Sequence, residues 1–174
     1  MDMKDRQPKD FYYLSVAEAI ASQSTCLSKK YGAIIVKDDE IISTGYNGAP
    51  RGRVNCCDRG ICFRAEHNIP RGTRYESCRS VHAEANAIIS ASRAEMKNAT
   101  MYLYGFDTRS QSPVENVNSC LMCKRMIINA GIERVVFADP NIGIPAPHGR
   151  YHAKHVKVEE WIENDDSLDP EATY

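Results

Sequence analysis

The strongest constraint on this chain is that two helix starts have to meet. His82-Ala83-Glu84 opens a stretch rich in Ala and Ile, and Cys120-Leu121-Met122-Cys123 opens another that Gly131 is placed to stop. Two cysteines three apart in the first turn of a helix can aim both sulfurs at one ion, and the helix N-terminus lowers thiol pKa so that thiolates are available. One imidazole from the other start completes three ligands, the number a catalytic zinc takes while leaving a fourth position for water. Glu84 lies two residues past His82, so it need not ligate and can face the open position, where a carboxylate would shuttle protons. A fold suits this sequence only if it sets these two helix N-termini side by side.

The remaining composition narrows the partners. At 174 residues and 43% hydrophobic, the chain can bury one continuous core, and residues 1–164 read as a single domain. Twenty-two Lys and Arg against 23 Asp and Glu leave a net charge of -1, which points to a small substrate and away from nucleic acid. No apolar run approaches the ~18 residues of a membrane span, and the start MDMKDRQPKD is charged where a secretory signal would be apolar. The expected location is cytoplasmic. In a reducing compartment, seven cysteines read as metal ligands or catalytic groups before disulfides.

Along the chain, Asp10 to Gln23 has apolar residues near helical spacing. Ala33 to Val36 and Glu40 to Thr44 are β-prone runs around Lys37-Asp38-Asp39, a hairpin. Residues 45–80, with five glycines, four cysteines and seven arginines, have no sustained period and read as a long functional loop. Val81 to Ala94 reads as a helix, Thr100 to Tyr104 as a strand, Cys120 to Ala130 as a helix with Met122 and Met126 in the core, and Arg134 to Ala138 as a strand. Prolines 140, 145 and 147 break regularity, and Val156 to Glu163, with the only tryptophan, reads as a short strand or helix. His148, His152 and His155 read as surface residues and 165–174 as a disordered acidic tail. The order β-β-α-β-α-β implies helices packed on a mixed sheet.

The His-x-Glu and Cys-x-x-Cys pair resembles the cytidine and deoxycytidylate deaminase superfamily. Within it the chain is most similar to deoxycytidylate deaminases: TGYNGAP at 44–50, CRSVHAEANAI at 78–88 and SCLMCKRMIINAGIERVVF at 119–137 match in order and spacing. The resemblance covers roughly residues 10–138, with two departures. Ser119 stands where the superfamily usually carries proline, and Asp107 to Asn118 is an insertion.

The resemblance implies a three-layer α/β/α fold, with a mixed sheet of about five strands and helices on both faces. It implies hydrolysis of dCMP to dUMP and ammonia in the supply of thymidylate, with zinc on His82, Cys120 and Cys123 and Glu84 as the catalytic proton carrier. Asn47 would meet the sugar, the Ala83 backbone N–H the pyrimidine carbonyl, and Ser28 and Lys30 the 5′-phosphate, with arginines of the long loop as further phosphate partners. Cys26, Cys56, Cys62 and Cys78 would hold a second, structural zinc, with Cys57 an alternative to Cys56 and free buried thiols the simpler reading. The resemblance also implies a homo-oligomer, hexamer or dimer, activated by dCTP and inhibited by dTTP, with Mg2+ accompanying the allosteric nucleotide. Two rivals stand beside this reading. One is a deaminase of another carrier, such as modified dCMP, dCTP, cytidine or a tRNA adenosine, and the other is a non-catalytic zinc module that senses nucleotides.

Overall fold

The computed structural model describes residues 6–140 and 150–164; the acidic stretch 165–174, His148, Pro145 and Pro147 lie outside them. The elements are α1 (Lys9–Ala21), β1 (Lys29–Lys37), β2 (Glu40–Tyr46), α2 (Cys56–Arg59), α3 (Phe63–Glu66), α4 (Ala83–Ile89), α5 (Arg93–Met96), β3 (Thr100–Asp107), β4 (Ser112–Pro113), α6 (Leu121–Ala130), β5 (Arg134–Asp139), β6 (His152–Lys157) and α7 (Val158–Glu163). The strands make one sheet in the order β2-β1-β3-β5-β6, with β4 paired to β3. Only β3 and β5 run parallel, across the α6 crossover, and the other pairs are antiparallel. No helix among the described residues is long and apolar enough to cross a membrane.

The sheet is covered on both faces, so its central strands are apolar on both sides. Tyr13, Leu14, Ala17 and Ala21 of α1 pack on Ile34, Val36, Tyr102, Tyr104, Val136 and Ala138. Ala83, Ala87, Met96, Ile127, Val158 and Trp161 cover the opposite face, over Ala33, Ile35, Met101, Leu103, Val135 and Phe137. This is the three-layer α/β/α arrangement.

Two glycines let the helices approach closely. A Cβ at Gly32 would lie 2.1 Å from the Ala17 carbonyl oxygen of α1, and one at Gly45 would lie 2.4 Å from the Ala83 carbonyl oxygen and the Ala87 nitrogen of α4. The β1–β2 turn has positive φ at Asp38 and Asp39 (48° and 69°), as a two-residue hairpin of this hand requires.

Five local readings need correction. His152, read as a surface residue, is buried where β6 begins. The 81–94 helix is broken into α4 and α5 because Ser92 starts a new helix: its hydroxyl accepts from the Glu95 N–H (3.3 Å) while the Glu95 carboxylate accepts from the Ser92 N–H (2.9 Å). Residues 152–163 are both things in turn, strand to Lys157 and helix from Val158, and the strand begins earlier than Val156. Met122 is exposed rather than in the core, and Met126 is half-buried, because Cys123, Ile127 and Ala130 form the inward face of α6 and the methionines lie one residue off it. The 45–80 segment is not structureless but carries α2, α3 and a 3-10 turn at Tyr75–Ser77.

Candidate active site

The two helix starts do meet. His82 is the residue before α4 and Cys120 the residue before α6, both with extended backbone, and the Cys120 sulfur also accepts from the Cys123 N–H of its own helix. His82 Nδ1 lies 3.4 Å from Cys120 Sγ and 3.4 Å from Cys123 Sγ, and all three ligand atoms fall within 4.8 Å of one another. A tetrahedral zinc with bonds of about 2.3 Å to sulfur and about 2.0–2.1 Å to nitrogen would hold such N and S atoms ~3.5 Å apart. The donor set therefore fits the ion in type and spacing. Among the described residues it is the only group of three or more with that spacing.

Electrostatics agree with ligation. The Cys120 thiol is held far below the ordinary thiol range, first by its hydrogen bond with the Cys123 thiol and then by His82 and the Cys123 backbone N–H, against the opposing effect of burial. The proton so kept pushes the Cys123 thiol up, with burial and Glu84 adding to the rise. His82 is raised chiefly by its bond to Cys120, an effect only partly offset by burial. A metal cation displaces the protons these groups share.

Glu84 follows His82 by two residues and is 5% exposed. Burial raises its pKa, while His82, its own backbone N–H and the Ser119 hydroxyl pull the other way. The buried carboxyl thus holds a proton more readily than a surface glutamate, next to the three ligand side chains. Tyr75 packs edge-on against His82, centroids 5.0 Å apart, and Arg64 lies over the Tyr75 ring at 5.2 Å.

The other expected residues are placed as follows. Ala83 is wholly buried at the first position of α4. Asn47 is buried and heavily engaged: its Oδ1 accepts from the Ser24 hydroxyl (2.6 Å) and the Tyr31 N–H (2.7 Å), and its Nδ2 donates to the Lys29 carbonyl (2.9 Å). One N–H of that amide is left over. Ser28 lies just before β1, where its carbonyl accepts from the N–H and hydroxyl of Thr108.

Alternation along β1 sets Lys29 on the side of Tyr31 and Ala33, which pack toward α4, and Lys30 on the side of Gly32 and Ile34, beneath α1. Lys29, rather than Lys30, shares the face of His82. It pairs with Asp107 at 3.7 Å, and burial together with Arg71 and Arg109 lowers its pKa. Arg71 also acts on Tyr31, as does Glu84, which links this cationic group to the buried carboxyl. Sequence reasoning placed Lys29 inside the Ser28 to Lys30 segment but singled out its neighbours, and it missed Tyr31, Tyr75 and Arg109. The period-2 rule applied to β1 identifies Lys29 and Tyr31, while Tyr75 and Arg109 sit in segments without period.

Cys26, Cys56, Cys62 and Cys78 line one small cavity with Arg64 and Arg79, and they act on one another electrostatically. No three of them reach the mutual spacing of the His82 trio. Cys57 is exposed.

A mixed sheet sandwiched by helices, with His, Cys and Cys at two helix starts and a carboxyl against them, defines the class: a zinc-dependent hydrolytic deaminase. Comparison with known proteins gives the family. The family model described as "Cytidine and deoxycytidylate deaminase zinc-binding region" matches residues 7–139, and the chain belongs to that family. It is 38% identical to the deoxycytidylate deaminase of Mycobacterium phage D29 over 134 residues, 74% of this chain and 92% of that protein. It is 33% identical to the deoxycytidylate deaminase of Schizosaccharomyces pombe over 129 residues, 74% of this chain but 36% of that protein. The crystal structure of the dCMP deaminase from cyanophage S-TIM5 in apo form superposes with a TM-score of 0.52 at 26% identity, covering 77% of this chain and 86% of that one.

Proposed function

We propose that this chain hydrolyses dCMP to dUMP and ammonia, with His82, Cys120 and Cys123 holding zinc and Glu84 carrying protons. The observation that carries the reading is the buried Glu84 carboxyl set against a trio with zinc spacing. Zinc in that trio supplies a Lewis acid that lowers the pKa of a water to about 7. Glu84 would take one proton from the attacking water and give it to the ring nitrogen, then take the second from the hydroxyl formed on the ring carbon and give it to the departing amine, so that it ends as the carboxylate it began as. The Ala83 N–H holds the pyrimidine carbonyl, and the spare N–H of Asn47 is offered to the sugar. Close packing of Tyr75 on His82 fixes the imidazole plane.

Lys29, Arg71 and Arg109 crowd together despite like charge, with Asp107 the carboxylate among them, and an anionic 5′-phosphate would relieve that repulsion. This favours a nucleotide over a free nucleoside, and two relatives named deoxycytidylate deaminase favour dCMP. Ammonia release from dCMP, dCTP, cytidine, deoxycytidine and adenosine tests the assignment. We expect dCMP to be the best substrate, and turnover of cytidine without dCMP would overturn it.

The same reading extends to a structural zinc on Cys26, Cys56, Cys62 and Cys78, supported by their convergence on one cavity. Metal analysis distinguishes two zincs per chain from one. Self-association as a dimer or hexamer belongs to the same reading, which light scattering tests. Activation by dCTP with Mg2+, inhibition by dTTP and a cytoplasmic location belong to this reading too. Velocity measured with each triphosphate added to dCMP tests the regulation.

A further inference from the structure

We propose that Arg64 is a positioning residue for the zinc ligand His82, acting through the ring of Tyr75, so that the segment 64–75 sets how the trio holds its metal. The inference rests on the zinc reading of the trio given above. Three contacts carry it. The Arg64 guanidinium donates from Nη1 to the Arg74 carbonyl and from Nη2 to the Pro70 carbonyl, each at 2.7 Å. Its Cζ lies over the Tyr75 ring, 5.2 Å from the centroid. That ring in turn meets the His82 imidazole at 90°, centroids 5.0 Å apart.

Each contact constrains the next. Arg74 has a φ of 48°, in the left-handed region that a residue with a Cβ enters only when its surroundings hold it there. It directly precedes the 3-10 turn Tyr75–Ser77, so its conformation decides where Tyr75 points. The bond from Arg64 to the Arg74 carbonyl supplies that hold, and a rigid guanidinium fork reaches two carbonyls at once. The same cation, lying over the ring face, attracts the ring it has placed. A ligating imidazole is usually oriented by a hydrogen bond at its other ring nitrogen. In His82 the nitrogen facing both sulfurs is Nδ1, and among the described residues no hydrogen bond reaches Nε2. The perpendicular Tyr75 ring takes that place: it opposes rotation of the imidazole about Cβ–Cγ, which would carry Nδ1 away from the sulfurs. Arg64 also lines the cavity of Cys26, Cys56, Cys62 and Cys78, so one side chain stands between that cavity and the catalytic trio.

Zinc affinity, read without substrate by competition with a chromophoric chelator, tests the proposal, the trio's share being the component that His82→Ala abolishes. Arg64→Met removes the cation and both carbonyl bonds, Tyr75→Leu removes the ring, and Tyr75→Phe keeps it. We expect Arg64→Met and Tyr75→Leu to weaken zinc binding about ten- to a hundredfold and Tyr75→Phe to stay within about twofold. With cobalt in place of zinc, the d–d band of the trio should shift in the first two variants and not in the third. A further readout needs no metal: in stripped protein the Tyr75 ring current displaces the His82 ring-proton resonances, and Arg64→Met should move them as Tyr75→Leu does. Unchanged affinity in both variants, or His82 resonances that Arg64→Met leaves in place, would overturn the proposal. So would lower affinity with an unmoved cobalt band, the mark of a segment that has only loosened. A wild type that binds no zinc through His82 would sink the zinc reading and this inference together, an outcome distinct from those three. The dCMP assignment enters none of these measurements.

Discussion

As the proposed proton carrier, Glu84 meets two opposed demands at a single side chain. Catalysis needs a carboxyl whose pKa is close to that of its proton donors, and burial supplies the rise; folding pays for that rise whenever the group ionises. The sign follows from the direction of the shift. A folded-state pKa above the unfolded value of about 4.3 means that the carboxyl's stabilising contribution is complete below that value and is lost as pH climbs through the folded pKa. Replacing Glu84 with Gln removes this dependence. In metal-free protein, calorimetry should find a higher Tm for the Gln variant at pH 8 and no gain at pH 4, and a lower Tm at pH 8 would count against the burial argument. The same substitution should cut turnover by about 10²–10⁴ while zinc content stays at the wild-type level. Under the proposed reading, Lys29 and Arg109 bind the phosphate and take no part in the chemistry. Arg109→Ala should raise KM for dCMP about tenfold or more and leave deoxycytidine turnover where it was, since only the nucleotide offers a phosphate. Equal effects on both substrates would remove Arg109 from the phosphate site.

At the scale of elements, the glycines that admit α1 and α4 to the sheet make a matched pair. Alanine at Gly32 would strike the α1 backbone, on the face away from the zinc ligands, and alanine at Gly45 would strike α4 beside His82. Each should cost about 1–3 kcal/mol of stability, the range for overpacking. The functional outcomes should differ: Gly32→Ala keeps kcat and zinc affinity in its folded fraction, whereas Gly45→Ala loses both, because α4 carries His82 and Glu84. Zinc titration of the two variants at a temperature where both remain folded is the check, and equal zinc affinity would refute the distinction. Most elements were legible because their periods are strong, as in the apolar run Ala33 to Val36 and the Cys120 to Ala130 helix. The break at Ser92 was missed although Ser92-Arg93-Ala94-Glu95 spells a capping box, because the Ala-rich run around it has helical character throughout. Met122 was misplaced, because helical spacing identifies a face only after one member is known to point inward, and here that member is Cys123.

Across the whole molecule, the zinc trio and its carboxyl could be read from two short motifs, whereas at the cationic end of β1 the segment 28–30 could be read but not which of its lysines meets which arginine. The difference is physical. His82 and Cys120 are held by helix starts, which local sequence encodes, but Lys29 meets Arg71 and Arg109 only because β1 pairs with β3 and the 45–80 segment folds back over both. That segment supports itself poorly. Its helices α2 and α3 are four residues each, well short of what holds an isolated helix together, so its order depends on what its cysteines do. If Cys26, Cys56, Cys62 and Cys78 clasp a metal, the segment should open without it while the sheet stays folded, since the two share no core. Cys62→Ser spares the trio and is the right probe. It should hold one zinc where the wild type holds two, be cut by trypsin within 51–79 roughly tenfold faster, and keep its far-UV signal. Loss of Arg71 from its place beside Lys29 would then raise KM for dCMP with little change in kcat. Wild-type rates of cleavage in the variant would show that thiol packing alone orders the segment, and that the phosphate end of the site stands without a second metal.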